Sequence, residues 1–260
     1  MFGSELMRSR AAAVLHLASS GGTVLARRVV ARYQIVIVNE VHPFAPAPAF
    51  NPSFPVASTI GQVDWSQEDL GKLFDHQMAR ITRKAKRSSS EVFLRIHSHS
   101  DYFDDGVKTH SSTGLDKWIA KAVVTVRNPL TNFVSARERG FFSGGLSEWI
   151  ARASAFIEDY AHLPRFRFES IMVNPEEGID EIGSTLELSK RLKVLEEKEI
   201  PFLSGDNRIR GPIVGEAFRA RDLANHKRII NNPAYREEVI RSLPALQSFQ
   251  RLLGYEETEV

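Results

Sequence analysis

Three short runs of nearly unbroken apolar character, at 11–17 (AAAVLHL), 35–38 (IVIV) and 122–126 (AVVTV), constrain this chain more than any other feature. A strand with one wet face alternates apolar and polar residues. A run that does not alternate is buried on both faces, as in a parallel sheet covered by helices on either side. Between the first two runs stand Ser19-Ser20-Gly21-Gly22, and then Leu25, Val29 and Tyr33 recur at helical spacing, with Arg27, Arg28 and Arg32 off that face. Strand, glycine turn, helix, strand is a βαβ unit. The same alternation continues along the chain, which predicts a three-layer α/β/α fold around a mostly parallel sheet, with a P-loop-like strand-loop-helix at its start.

Further elements follow from local signals. Five prolines between 43 and 58 exclude a helix or central strand there, so 43–62 reads as a long surface loop. Ser66 and Asp69 form a capping-box start for a helix through about Arg87, with Leu70, Leu73, Phe74, Met78 and Ile81 on one face. Residues 91–96 read as a strand and 100–116 as polar loop. Asn128, Pro129 and Gly140 mark the ends of a helix, and 146–160 is a long amphipathic one. Residues 165–170 read as a short strand, followed by helix through the 180s and 190s. Residues 201–216 read as a Gly/Pro-rich loop, and the C-terminal helix is expected to break at Pro244. No repeat or composition shift divides the chain, so 1–260 reads as one domain.

With 34 Lys and Arg against 32 Asp and Glu, the chain carries almost no net charge, so any anion site must come from local placement of charge. That balance also argues against a nucleic-acid partner. The absence of cysteine excludes disulfides, thiolate metal sites and a cysteine nucleophile. No apolar stretch is long enough to span a membrane. Arg8 and Arg10 before 11–18 look like the start of a signal segment, but the run is short and holds His16, so it reads as the first strand of a cytoplasmic protein.

Ligands of open α/β sheets bind at the carboxyl ends of the strands. Four features fall at such places. Ser19, Ser20, Gly21, Gly22 and Thr23 precede a helix, where backbone N–H groups can cradle an anion; without the lysine of a Walker A loop, a plain tight turn is the equal alternative. Arg127 ends the 122–126 strand, with Ser135 eight positions later. His97 and His99 end the 91–96 strand, where a histidine suits general-base work near neutral pH. Alternation of His97, His99 and Asp101 also permits a metal, though none is assigned. Ser204, Gly205, Arg208 and Arg210 form a basic turn-rich segment suited to closing over phosphates.

Together these residues resemble the sulfotransferase family, and its bacterial members in particular, whose donor is 3′-phosphoadenosine 5′-phosphosulfate. LHLASSGGTVLARRV (15–29) is similar to the family's 5′-phosphosulfate loop, and VTVRNPLTNFVSARERGF (124–141) to its 3′-phosphate motif. FLRIHSHSDYF (93–103) is similar to the strand that supplies the catalytic base, and SGDNRIRG (204–211) to the loop over the adenosine end. FRFES with PEEGIDEIGSTLEL is similar to the segment after the 3′-phosphate motif. The resemblance implies sulfuryl transfer to a hydroxyl or amine of a small-molecule, lipid or carbohydrate acceptor, without a metal, with His97 or His99 as base. It implies donor contacts from Ser19 to Thr23, Arg127, Ser135, Ser204, Gly205, Arg208 and Arg210. Glu40, His42 and the 43–62 loop are expected on the acceptor side.

The chain departs from the family at Ala18-Ser19-Ser20, where many members carry a basic residue; Arg27, Arg28 or Arg95 are the candidates to replace it. Lys108-Thr109-His110 looks like the cytosolic members' base motif but follows no strand. Two other readings stay open: a P-loop kinase-like enzyme, and a nucleotide-binding protein with a degenerate site.

Overall fold

The computed structural model describes residues 11–43, 66–103, 114–196, 199 and 214–258. The 43–62 loop beyond Pro43, the Lys108-Thr109-His110 segment and Ser204, Gly205, Arg208 and Arg210 lie outside the described residues.

Strand β1 (Ala11–His16) leads through helix α1 (Gly22–Arg32) to β2 (Ile35–Val41). Helix α2 (Gln67–Arg87) precedes β3 (Glu91–His97), α3 (His99–Phe103), β4 (Ile119–Val126), α4 (Pro129–Glu138) and α5 (Leu146–Asp159). Then come β5 (Arg165–Arg167), α6 (Phe168–Val173), α7 (Pro175–Thr185), α8 (Gly215–Asn231) and α9 (Pro233–Leu253). The five strands pair in the order β2-β3-β1-β4-β5, and every pairing is parallel. The chain leaves β1 toward β2 on one side and leaves β4 toward β5 on the other. The carboxyl ends of β1 and β4 therefore flank a topological switch point, the place where open α/β sheets bind ligands.

The first and third apolar runs have the cause inferred from sequence, while Val36 and Ile37 of the second, on edge strand β2, are half-buried. Ala11, Ala13 and Leu15 of β1 pack with Phe74 and Met78 of α2 and with Trp149 and Phe156 of α5. Ala12 and Val14 pack on the other face with Leu25 and Val29 of α1 and Ile179 and Ile182 of α7. Both faces of the strand are thus dry, and the three-layer arrangement follows. No described helix is long and apolar enough to cross a membrane.

Four local expectations are corrected. The strand at 165 stops at Arg167, because Phe168 turns under Gly21 and starts α6. Helix α7 ends at Thr185 instead of running into the 190s: Glu187 takes φ 55°, and buried Leu186 and Leu188 pull the chain onto the α1 layer. From there the chain runs along the end of α1, Arg191 N–H donating to the Arg32 carbonyl and Leu195 N–H to that of Ala31. The segment after His97 is helical over His99–Phe103, not loop, with His99 and Ser100 buried. Finally, α9 continues through Pro244.

A proline inside a helix costs about 3 kcal/mol in lost hydrogen bonding and steric clash. Here the buried stripe of Val239, Ser242, Leu246, Phe249 and Gln250 keeps one face of α9 against the protein on both sides of the proline, and Phe249 meets Trp149 at 6.3 Å. Packing overrides the local break. Pro244→Ala is expected to stabilise the protein by about 1–3 kcal/mol in urea unfolding; a loss of stability would mean the proline is required by its packing.

Candidate functional site

The loop after β1 is shaped by two close approaches. A Cβ on Gly21 would lie 2.2 Å from the Phe168 ring, and Gly21 sits at φ 87°. A Cβ on Gly22 would lie 2.4 Å from Nε2 of His16. Side chains are excluded at both positions, which brings the backbone down onto the sheet. Ser19 takes the left-handed φ of 63°. Ser20 is buried and donates its hydroxyl to the Leu17 carbonyl at 2.6 Å, so it braces the loop from within. Ser19 Oγ is buried with no hydrogen-bond partner. Gly21 caps α1 without a side chain, and the first turn carries no acidic residue. The helix therefore presents uncapped N–H groups and its positive end to the switch point. Thr23, Arg27 and Arg28 are half-buried on its first turns.

Beneath the loop lies a polar network. Arg95 of β3 is 4% exposed, and its guanidinium is committed in three directions. Nε donates to His16 Nε2 at 3.0 Å, Nη1 to Asn39 Oδ1 at 2.8 Å, and Nη2 to the Glu40 carboxylate. An arginine Nε only donates, so His16 Nε2 must accept, and its proton sits on Nδ1, 2.9 Å from the Leu17 carbonyl. His16 is held as a neutral tautomer. Burial and then the Arg95 charge lower its pKa to about 3. Arg95, one candidate to replace the missing loop lysine, thus works as a clamp joining the ends of β1, β2 and β3. Glu40, at φ 52°, serves that clamp too.

A histidine whose folded pKa lies below its unfolded value favours the folded state fully above about 6.5 and loses that contribution as pH falls toward about 3. Urea unfolding at pH 7 and pH 5 should show wild type losing up to about tenfold in folding equilibrium per pH unit more than His16→Gln. Equal losses would show that His16 is not held neutral.

On the other side of the switch point stands Arg127, just past β4. Nη1 donates to the Ser19 carbonyl at 3.0 Å, and the guanidinium lies 5.8 Å over the Phe168 ring. Nε is buried without a partner, and no described carboxylate forms an ion pair with Arg127. Burial pulls its pKa below the ordinary arginine value, while Glu169 and Asp222 oppose that from a longer range. Asn132 of α4 donates to the Ala18 carbonyl at 3.3 Å, which ties this turn to the loop. Ser135 is half-buried two turns along α4. Beyond Asn128, the residue after Arg127, opens a cavity of about 630 Å³ lined by Asn128, Glu169, Phe218, Asp222, His226 and Tyr255, among others. Burial raises the Glu169 pKa above the usual carboxylate range.

The remaining candidates separate. His97 closes β3 in register with His16, which sets its backbone beside the glycine loop. His99 is buried, places Nε2 3.0 Å from the Phe141 carbonyl and stacks on Phe103 at 4.4 Å. His42 points inward at the end of β2, its Nε2 2.7 Å from Asp101 Oδ1, with both side chains fully buried. The helix at His99–Phe103 ends the strand-like alternation of the HSHSD stretch and turns Asp101 toward His42. Among the described residues no group of three or more His, Cys, Asp or Glu is arranged to hold a metal.

The sequence reading missed the Arg95–His16 clamp and the pairing of Glu169 with Tyr255. An arginine inside an otherwise apolar strand was the available signal for the first. Tyr255 had none.

Comparison of the sequence with protein-family models and with curated proteins found no match. Comparison with solved structures found a sulfotransferase domain from the curacin biosynthetic pathway at 12% identity and TM-score 0.55, covering 96% of this chain and 99% of that domain. A sulfotransferase domain from the Synechococcus PCC 7002 olefin synthase matches at 13% identity and TM-score 0.57, covering 96% of this chain and 97% of that domain. The fold described above is the one these domains share.

Proposed function

We propose that the chain is a sulfotransferase that binds 3′-phosphoadenosine 5′-phosphosulfate and passes its sulfuryl group to a hydroxyl or amine. The observation that carries this reading is Arg127: a guanidinium largely withdrawn from water, without an ion pair among the described residues, with Nε unmatched, one residue before Asn128, which lines a cavity of nucleotide size on the β5 side of β4. Leaving such a group unpaired is costly unless a ligand completes it. A phosphate is the ligand that a guanidinium fork fits best.

The residues fit the donor. Arg127 and Ser135 would hold its 3′-phosphate, and the 19–23 loop its 5′ end through the uncapped N–H groups of α1. The bound donor supplies an electrophilic sulfuryl group. The loop N–H groups stabilise negative charge at fixed positions, which is the economical way to lower such a barrier. His97 takes the acceptor proton. Its backbone position beside the loop supports that role, and the engagement of His99 with Phe141 favours His97 of the two. The acceptor enters past the ends of β2 and β3, toward the 43–62 loop. Ser204, Gly205, Arg208 and Arg210 cover the nucleotide in this reading.

Calorimetry with adenosine 3′,5′-bisphosphate tests the donor site. Wild type is expected to bind, and Arg127→Ala to lose at least about tenfold in affinity, equal to about 1.4 kcal/mol. No binding by wild type, or equal binding by the variant, overturns the reading. A transfer assay over a panel of alcohols, phenols and amines tests turnover. His97→Ala is expected to lose about 10²–10⁴ in rate without loss of bisphosphate affinity. Binding without any transfer leaves the second reading, a nucleotide-binding protein, which the absence of a loop lysine at Ala18-Ser19-Ser20 favours.

A further inference from the structure

Arg127 has a carboxylate within electrostatic range that is fixed to the backbone of its neighbour instead of to the guanidinium. Glu169, the second residue of α6, accepts the Asn128 N–H on Oε1 at 2.9 Å. Its Oε2 accepts the Tyr255 hydroxyl at 2.6 Å. That hydroxyl also lies 3.3 Å from the Val126 carbonyl. The residues before and after Arg127 are therefore both held by one Glu–Tyr bracket, and Tyr255 brings it from the C-terminal tail.

We propose that Glu169 is the positioning counter-ion of Arg127, and that a phosphate arriving at Arg127 draws a proton from solvent onto Glu169. The proposal rests on reading Arg127 as the phosphate-holding residue. The bracket is built to tolerate the change. When Oε2 gains a proton, it becomes a donor to the Tyr255 oxygen. The Tyr255 proton then turns to the Val126 carbonyl, and Oε1 keeps the Asn128 N–H. No heavy atom has to move, so Arg127 stays in place in both protonation states.

Electrostatics supplies the drive. A phosphate monoester brings about −1.5 to −2 charges. Beside it would stand Glu169 and, from α8, Asp222, against Arg127. Like charges in a site of restricted water access favour protonation of one of them. Other charged or titratable groups around the cavity are Arg167 of β5, Arg219 and His226 of α8, and Glu256 and Glu257 of the tail. Arg167 donates to the Gly254 carbonyl, Arg219 pairs with Glu216 and Glu257 with Arg251. Asp222 is the rival proton acceptor, since burial also raises its pKa. Glu169 is preferred because its hydroxyl partner can reverse direction.

The test is calorimetry of adenosine 3′,5′-bisphosphate between pH 7 and 9, in two buffers of different protonation enthalpy, where the ligand phosphates are already ionised. Wild type is expected to take up protons and to lose affinity with rising pH, by up to about tenfold per pH unit where one proton is taken up. Glu169→Gln is expected to remove both the uptake and the slope. Tyr255→Phe, which takes a donor from the carboxylate, should move the fall in affinity to higher pH. An unchanged slope in Glu169→Gln, or a slope abolished by Asp222→Asn instead, overturns the proposal. A second measurement separates it from the donor reading. Carboxyl ¹³C NMR of the ligand-free protein should show Glu169 titrating at higher pH in Arg127→Met than in wild type. No shift refutes the counter-ion pairing even where no nucleotide binds, while a shift without nucleotide binding supports the pairing and refutes the donor reading.

Discussion

Two arginines stand at the carboxyl edge of the sheet, and the protein satisfies only one of them. Arg95 spends its guanidinium on His16, Asn39 and Glu40, and so locks the ends of three strands together. Arg127 receives one neutral carbonyl, and its Nε is left unmatched. Both side chains carry the cost of leaving water. For Arg95 the protein itself offsets that cost. For Arg127 only the longer-range charges of Glu169 and Asp222 offset it, and this asymmetry is what the proposed anion site rests on.

The rest of the architecture serves that contrast. Burial of β1 on both faces covers the centre of the sheet, and the strand order puts the topological switch point between β1 and β4. The Arg95 clamp keeps His16 neutral and flat beneath Gly22, so the loop backbone can settle onto it. Phe168 does the same beneath Gly21 and offers its face to Arg127. The glycines thus have a packing reason that is compatible with holding a phosphate, since the close backbone approach is also what bares the N–H groups of α1. Of the two explanations that sequence offered as alternatives, the tight turn is what the packing shows, and the anion cradle is compatible with it.

Much of this was legible in the residues. Runs such as AAAVLHL have both faces buried for a local reason, and Arg127 follows such a run directly, so its place at a strand end could be read. Contacts between distant segments could not. Tyr255 and Glu169 are 86 residues apart, and neither has an unusual neighbourhood in sequence. Glu40 and His42 were expected to face an acceptor, yet their side chains are engaged by Arg95 and Asp101, which come from other elements. Pro244 was a sound local signal that tertiary packing of Leu246 and Phe249 overrode. Short-range chemistry predicts elements, and long-range packing decides what each polar group is for.

A structure of the protein with adenosine 3′,5′-bisphosphate bound is the most direct test that Arg127 is completed by a ligand. The account predicts the 3′-phosphate within hydrogen-bond distance of the Arg127 guanidinium, Nε included, the 5′-phosphate against the N–H groups that follow Gly21, and the base in the cavity beside Asn128 and Phe218. A nucleotide bound elsewhere, or one that leaves Arg127 Nε unmatched, would contradict it.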